Sequence, residues 1–180
     1  MQKIFFTVII LFIFCYAYGQ DEILHVPKFH LQSNKIVYYD TVFVDTTTNS
    51  HQQLLENVHE WYSHTYETSD DRLLIDNSDA GLISGTGTVN FKKHKGDYRD
   101  LLFTIDILIG NGFYTYKIYN LYGYDNGTKF YYSDMYSEEL YPTPKPRWPK
   151  TISTYKLYNV DVSVNEIIAN LKSGIIKKWR

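Results

Sequence analysis

Alternation of apolar and polar residues marks the middle of the chain, from Leu73 to Tyr124, as a set of β-strands. Successive side chains of a strand point to opposite faces of a sheet, so this alternation predicts strands with one buried face. The strand that starts at Leu82 has one face made of Ile83, Gly85, Gly87, Val89 and Phe91. The next strand repeats the pattern from Leu101 to Ile109. We therefore expect an antiparallel sheet at the centre of the fold.

Short turn sequences separate these strands. Asp76–Gly81 is rich in residues that hydrogen-bond to their own backbone, and Lys92–Asp100 forms a charged loop. Gly110–Gly112 supplies the positive φ angles of a tight hairpin, and Asp125–Gly127 ends the return strand Phe113–Tyr124. These turns predict strands that pair with their sequence neighbours.

A helix is predicted before the sheet. Ser50 and Gln53 form a capping box, in which each side chain bonds to a backbone N–H at the start of the helix. The helix should end near Thr65 or Tyr66. Its apolar stripe contains Leu54, Leu55, Val58, Trp61 and Tyr62.

Two features connect this helix to the sheet. Lys35–Asp45 is rich in β-branched and aromatic residues and predicts a strand before the helix. Gly85 and Gly87 lie on the apolar face of their strand, where the missing side chains leave a hollow. We expect the helix that carries Trp61 to lie across this hollow.

The chain after the sheet is predicted to form a connection and a last helix. Residues 125–162 are rich in tyrosine and proline without a clear period, which predicts a long connection. Ser163 and Glu166 form a second capping box, which predicts a helix over residues 163–180. Gly174 is expected to weaken it by about 1 kcal/mol relative to alanine. The apolar face of this helix contains Val164, Ile167, Ile168, Leu171, Ile175 and Ile176.

These elements together predict an α+β fold. The expected architecture is one antiparallel sheet with a helix after the first strand and a C-terminal helix, in the order β-α-β-β-β-β-α. Residues 35–124 form the sheet domain, residues 20–34 precede it as an extended arm, and the C-terminal helix packs on it.

Residues 1–19 predict a signal peptide. Lys3 precedes an apolar run from Ile4 to Cys15, and Ala17 and Gly19 fit the −3 and −1 positions of a cleavage site. The run is shorter than the roughly 20 residues of a spanning helix. We expect cleavage before Gln20 and export to the periplasm, the cell surface or the medium. Retention of the segment as an anchor is the alternative.

Composition narrows the class of partner. The chain has 18 basic and 20 acidic residues, a formal net charge of −2. Nucleic-acid binding calls for a concentrated basic patch, so this mild acidity argues against it. The only cysteine, Cys15, lies in the predicted signal peptide, so the mature chain has no disulfide and no thiol nucleophile.

Part of the sequence is similar to a known family. The similarity is carried by Ser50–Leu54, Trp61, Asp79–Gly87, Phe103–Ile105 and Tyr116. These patterns resemble an uncharacterised family of exported bacterial proteins, a domain of unknown function with a TBP-like fold. The resemblance covers about Lys35 to Tyr124 and implies that fold. It implies no activity, cofactor or site residue, and the fold name alone does not imply DNA binding.

No metal or cofactor is predicted. His59 and His64 are five residues apart, so their rings point about 140° apart on a helix and cannot share a zinc ion. The turn after Asp76 has Ala80 and Gly87 at two positions where a calcium loop needs oxygen ligands.

The chain has 18 tyrosines, more than one core requires. Tyrosine suits surfaces that are partly apolar and partly hydrated. We therefore predict a binding surface for a protein or glycan of the cell envelope, on the outer face of the last strand and the segment after it. The alternative is that these rings cover the sheet and anchor the connection. The candidate partner-binding residues are Tyr114, Tyr116, Tyr131, Tyr132 and Trp148.

Two functions follow as hypotheses. The first is an exported, non-enzymatic domain that binds a protein or a cell-envelope component, since the sequence contains no coherent catalytic set. The alternative is an exported hydrolase or glycan-processing enzyme that uses carboxylates in loops. These carboxylates are Asp70, Asp71, Asp97, Asp100, Glu138 and Glu139.

Overall fold

The computed structural model describes residues 25–47, 49–66, 73–92, 98–141, 145, 147 and 149–176. For residues 91, 92, 98, 99 and 151 it describes the backbone alone. The predicted signal peptide and Trp148 lie outside the described residues.

Two short strands precede the main sheet. β1 (Leu31–Gln32) and β2 (Lys35–Ile36) pair as an antiparallel hairpin. Ser33 and Asn34 join them with positive φ angles of 50° and 61°, as a two-residue hairpin turn demands. The predicted extended arm over residues 20–34 therefore ends in a hairpin.

The first helix, α1 (His51–Thr65), begins and ends as predicted. The Ser50 side chain accepts a hydrogen bond from the Gln53 backbone N–H at 3.2 Å, which confirms this half of the capping box. All five residues of the predicted apolar stripe are buried. The strand predicted over Lys35–Asp45 is divided into β2 and a longer strand, β3 (Tyr38–Phe43).

The main sheet is antiparallel. Its strands are β3, β4 (Leu73–Asn77), β5 (Leu82–Lys92), β6 (Tyr98–Gly110) and β7 (Phe113–Asp125), joined in the order β3-β7-β6-β5-β4. The predicted tight turn after Gly110 is present, with Gly112 at a φ of 81°. β3 and β4 lie at opposite edges, because each pairs with one strand of this set.

The hollow at Gly85 and Gly87 is filled by α1, as predicted. A Cβ atom placed on Gly85 would lie 2.6 Å from Cε2 of Tyr62, and one on Gly87 would lie 2.9 Å from Cε1 of Tyr66. The Tyr62 hydroxyl also donates a hydrogen bond to the backbone carbonyl of Thr86. At Gly87 the ring of Phe103 on β6 is closer still, with Cζ at 2.5 Å, so aromatic rings from α1, from its C-cap Tyr66 and from β6 occupy the volume that side chains on β5 would otherwise take.

The segment after β7 is more ordered than predicted. β8 (Thr128–Tyr131) pairs with the end of β7, and a short helix, α2 (Tyr132–Leu140), follows it directly. The Ser133 hydroxyl accepts a hydrogen bond from the backbone N–H of Ile36 at 3.0 Å, which fixes α2 to β2. The prediction of an irregular connection over residues 125–162 is therefore wrong for this part.

The last helix, α3, spans Lys150–Ile176, so its predicted start at Ser163 is wrong. Ser163 is buried within the helix, because the apolar stripe continues through it from Leu157 and Val160. Four of the predicted apolar residues are buried: Val164, Ile167, Leu171 and Ile175. None of the described helices is both long and apolar enough to cross a membrane.

The helices pack on one face of the sheet, which confirms the predicted α+β architecture. α1 and α3 contact each other and cover the sheet face that contains Ile83, Phe103, Ile105 and Ile107. Asn57 of α1 donates a hydrogen bond to the backbone carbonyl of Ile175 at 2.7 Å in the buried helix interface. This arrangement leaves the opposite sheet face as the open face of the domain.

Candidate functional site

The open face carries the side chains that alternate with the buried ones along each strand. Ser84, Asp106 and Lys117 stand side by side across its centre, since they pair across β5, β6 and β7. The Ser84 hydroxyl donates to Asp106 at 2.5 Å, and the Tyr119 hydroxyl lies 3.4 Å from the same carboxylate. Ser84 is buried, whereas Asp106 and Lys117 are partly exposed, so hydrogen bonds within the protein take up much of the polar centre of the sheet.

One end of the open face carries a cluster that we call the tyrosine–lysine patch, consisting of Lys35, Tyr122, Tyr124, Lys129 and Tyr131. Lys129 Nζ lies 3.6 Å from the ring centroid of Tyr122 and 5.1 Å from that of Tyr131. Lys35 Nζ lies 5.7 Å from the Tyr131 centroid. The Tyr122 centroid is 6.0 Å from those of both Tyr124 and Tyr131. The patch therefore holds two ammonium groups against a cluster of three rings.

The ammonium groups of the patch are not neutralised by the described part of the chain. Neither Lys35 nor Lys129 has a carboxylate within 4 Å among these residues. Lys35 donates one hydrogen bond, to Asn120 Oδ1 at 3.3 Å. A cation over a tyrosine ring gains about 0.5–1 kcal/mol at an exposed site, which restrains the side chain without using its N–H donors. Donors on both lysines are therefore available to an anion.

A β-bulge in β7 creates this patch. Thr104 pairs with Tyr119 and Leu102 pairs with Tyr122, so β7 has one residue more than β6 between these pairs. Asn120 lies in the bulge with a φ of 54°, a conformation that asparagine adopts more readily than most residues. The extra residue reverses the alternation of faces along the strand. Tyr122 and Tyr124 consequently point to the open face, although Tyr114 and Tyr116 point to the helices.

A tight turn completes the patch. Asn126 and Gly127 have φ angles of 49° and 76°, which match a type I′ turn and return the chain as β8. The resulting register places Lys129 opposite Tyr124 and Tyr131 opposite Tyr122. Residues that lie opposite each other in an antiparallel pair share a face, so Lys129 and Tyr131 join the open face.

The five predicted partner-binding residues do not lie together in the structure. Tyr114 and Tyr132 are fully buried in the core, and Tyr116 is 5% exposed on the helix side. The prediction that these three rings form an outer surface is therefore wrong, because their side chains pack between sheet and helices. Tyr131 lies in the tyrosine–lysine patch, and Trp148 is outside the described residues.

Sequence reasoning missed four residues of the patch: Lys35, Tyr122, Tyr124 and Lys129. Tyr122 and Tyr124 lie on the strand predicted to carry the surface, but the predicted site contains Tyr114 and Tyr116 of that strand instead, and the bulge places the two pairs on opposite faces. Asn120 was the available signal, since a polar residue that tolerates positive φ interrupts the alternation there. Lys35 had no signal, because only tertiary structure brings β2 to Tyr131. Lys129 lies two residues before Tyr131 on β8, a strand that was not predicted from the sequence.

A second concave region, the edge groove, lies between β3 and α3 and has a volume of about 460 Å³. Lys172 Nζ forms an ion pair with Asp40 Oδ2 at 2.9 Å and lies 5.5 Å from the ring centroid of Tyr116. The Tyr38 hydroxyl donates to Asp161 Oδ1 at 2.8 Å. The groove thus contains two carboxylates, and both have hydrogen-bond partners within the protein.

The pKa values in the edge groove follow from these contacts. The hydrogen bond from Lys172 and that from the Thr41 backbone N–H hold the pKa of Asp40 below its usual value. The hydrogen bond to Asp40 raises the pKa of Lys172. Burial, followed by the charge of Asp161, raises the pKa of Tyr38. Asp40 is therefore held as an anion, which suits an ion pair, whereas a general acid needs a raised pKa.

The loop carboxylates of the alternative function are not brought together among the described residues. Asp70, Asp71 and Asp97 lie outside these residues. The prediction that the others lie in loops is wrong: Asp100 is exposed on β6, and Glu138 and Glu139 lie on α2, where Glu139 forms an ion pair with Lys150 at 3.4 Å. The enzymatic alternative stays a hypothesis that the described carboxylates do not support.

Metal-ligating side chains do not cluster in the described part of the chain. No group of three histidine, cysteine, aspartate or glutamate side chains there could hold one metal ion. His59 lies 3.4 Å from Asp76 Oδ1, a contact between the polar face of α1 and β4. Metal chemistry therefore has no candidate ligand set among these residues.

Two solved structures resemble this fold. A TBP-like protein from Parabacteroides distasonis ATCC 8503 aligns with a TM-score of 0.69 at 13% identity, over 83% of this chain and 98% of that one. A DUF4468 family protein from Bacteroides ovatus ATCC 8483 aligns with a TM-score of 0.68 at 12% identity, over 89% of this chain and 97% of that one. At these identities the similarity shows the fold alone.

No curated protein matches the chain. A family model does match it and agrees with the structural similarity. Residues 38–123 match the family described as a domain of unknown function (DUF4468) with TBP-like fold. The family resemblance inferred from the sequence is thereby confirmed: residues 38–123 of this chain match the DUF4468 family model, and the fold is TBP-like.

Proposed function

We propose that this chain is an exported, non-catalytic binding module that holds a component of the cell envelope on its tyrosine–lysine patch. The observation that carries the proposal is the pair of ammonium groups, those of Lys35 and Lys129, that stand against the ring of Tyr131 with no carboxylate partner among the described residues. Exposed lysines held in place over rings resemble a binding surface more than a packing contact.

The distribution of the helices supports the same function. The α-helices of the described residues lie on one face, so the sheet acts as a rigid platform for residues on the other face. Sites on strands are held more rigidly than sites on loops, which lowers the entropy lost when a ligand binds. Export is supported by the sequence pattern of residues 1–19.

The experiment is co-sedimentation of the full chain with insoluble cell-envelope material. A double variant, Tyr124→Ala with Lys129→Gln, should lose most of the binding while it keeps the melting temperature of the wild type, since both residues are exposed. Lys117→Gln is the matched control: it removes the same charge from the open face, where Lys117 stands 5.2 Å from the Tyr119 ring centroid. Equal binding by all three proteins would refute the proposal.

A further inference from the structure

We infer that the ligand of the tyrosine–lysine patch is a polysaccharide that carries carboxylate groups, an inference that rests on the binding function proposed above. Three features of the patch select this class: its unneutralised charge, its exposed ring, and its lack of an aliphatic centre. The charge suits the carboxylates of an acidic sugar chain, and the exposed ring suits its sugar rings. The lack of an aliphatic centre argues against a protein partner.

The charge of the patch selects an anion. Lys35 and Lys129 are both exposed, and both stand within 6 Å of the centroid of one ring, that of Tyr131. The whole chain has a formal net charge of −2, so the patch is a local positive region on a mildly acidic protein. Hydrogen bonds from ammonium to carboxylate are among the stronger polar contacts of proteins. Two lysines at one ring suit a polymer that repeats its carboxylates.

The exposed ring selects a sugar. Tyr124 is 51% exposed and lies beside Tyr122 at the rim of the patch. The face of an aromatic ring carries a partial negative charge and attracts the C–H groups of a flat apolar surface. A sugar ring has an apolar C–H face and a polar rim, so it can stack on Tyr124 while its carboxylate reaches Lys129.

A protein partner fits the patch less well. Protein interfaces have an apolar core in which charged residues are depleted. The exposed aliphatic residues Leu73, Leu74 and Ile75 lie on β4, at the opposite edge of the sheet. Leu108 lies near the other end of β6 from Leu102, the residue that pairs with Tyr122. The main run of exposed aliphatic side chains is therefore remote from the lysines, whereas Leu31, 36% exposed and paired with Ile36, is a single aliphatic residue near Lys35.

The test is calorimetric titration of the full chain with an oligomer of galacturonic acid and with the same oligomer after methyl esterification of its carboxyls. The two ligands share their rings and differ at the carboxyl group, which is a charged carboxylate in one and a neutral methyl ester in the other. We expect binding of the acid form and at least roughly tenfold weaker binding of the ester, since hydrogen bonds between charged groups are lost. Lys129→Gln should weaken binding of the acid form about three- to tenfold, whereas Lys117→Gln should leave it nearly unchanged. Binding should also weaken as salt is raised.

The outcomes separate this inference from the function on which it rests. Equal affinity for the two oligomers, or binding of neither, would overturn the inference that the ligand is an acidic polysaccharide. If the envelope binding described above still depends on the patch, the binding function survives that result. Loss of envelope binding after protease treatment of the envelope would identify a protein partner and would also overturn the inference. If the patch variants bind the envelope as well as the wild type does, both the binding function and the ligand inference are refuted.

Discussion

Trp61 of α1 lies directly on Gly174 of α3, and this contact joins the two long helices over the sheet. A Cβ atom placed on Gly174 would lie 2.5 Å from Cδ1 of Trp61. The indole Nε1 donates a hydrogen bond to Asn170 Oδ1 at 2.8 Å, one turn earlier on α3. Since the Trp61 side chain is fully buried, the absence of a side chain at residue 174 is a packing requirement.

Gly174→Ala should therefore destabilise the protein, although alanine is the better helix former. The helix would gain about 1 kcal/mol in propensity, but overpacking a core typically costs about 1–3 kcal/mol. We expect a net loss of up to about 2 kcal/mol, measured by urea denaturation. Ser173→Ala, at an exposed position of the same helix, is the control and should change stability by less than about 0.5 kcal/mol. A stabilised Gly174→Ala protein would show that the indole moves aside.

Gly85→Val should be strongly destabilising, because the new side chain would overlap the Tyr62 ring. The loss should reach or exceed about 3 kcal/mol, since β5 and α1 would have to separate. Thr88→Val is the control on the open face of the same strand and should be nearly neutral. Comparison of the two melting temperatures tests the packing, and similar values would contradict it.

The sequence allowed the sheet face and α1 to be predicted because local signals and tertiary packing agree there. The serine cap, the apolar stripe and the two glycines all describe one helix on one hollow. In β7 the local sequence signals and the tertiary packing do not agree. The bulge at Asn120 adds one residue, so no single period-two pattern describes the strand: Tyr114 and Tyr116, predicted on the outer face, are buried, whereas Tyr122 lies on the open face. A change of register by one residue reverses every later side chain.

The start of α3 was missed for a different reason. Ser163 and Glu166 have the spacing of a capping box, yet a capping box only stabilises a helix start where the preceding residue is not already helical. The apolar spacing continues without a change of phase from Leu157 through Val160 to Val164. That continuity was the stronger signal, because burial of an apolar stripe stabilises a helix more than a cap does.

The ion pair between Asp40 and Lys172 should make a small, pH-dependent contribution to stability. Lys172 lowers the folded-state pKa of Asp40, so this contribution is present above the usual carboxyl pKa and is lost as pH falls through the lowered value. Lys172 has a raised pKa, so its contribution is present below its usual pKa and is lost as pH rises through the raised value. The pair therefore stabilises the fold across neutral pH.

Asp40→Asn tests this dependence. Because both side chains are partly exposed, we expect a loss of no more than about 1 kcal/mol at pH 7. The difference from the wild type should shrink towards zero in acid, at a pH below the lowered pKa of Asp40, where the carboxylate is protonated in both states. Urea denaturation at the two pH values measures the change. A difference that persists undiminished at low pH would mean that the substitution acts through packing, not through charge.

Tyr131 and Tyr132 are adjacent in sequence but serve opposite purposes, and separate alanine substitutions should distinguish them. Tyr132 is fully buried, so Tyr132→Ala should cost about 3–5 kcal/mol in unfolding free energy. Tyr131 is only partly buried on the open face, so Tyr131→Ala should cost less than about 1.5 kcal/mol. Tyr131→Ala should nevertheless reduce envelope binding, because it removes the ring against which Lys35 and Lys129 are held. Denaturation and co-sedimentation of the two variants check both parts. If Tyr131→Ala were as unstable as Tyr132→Ala, the patch would be a packing element and its role in binding would have to be abandoned.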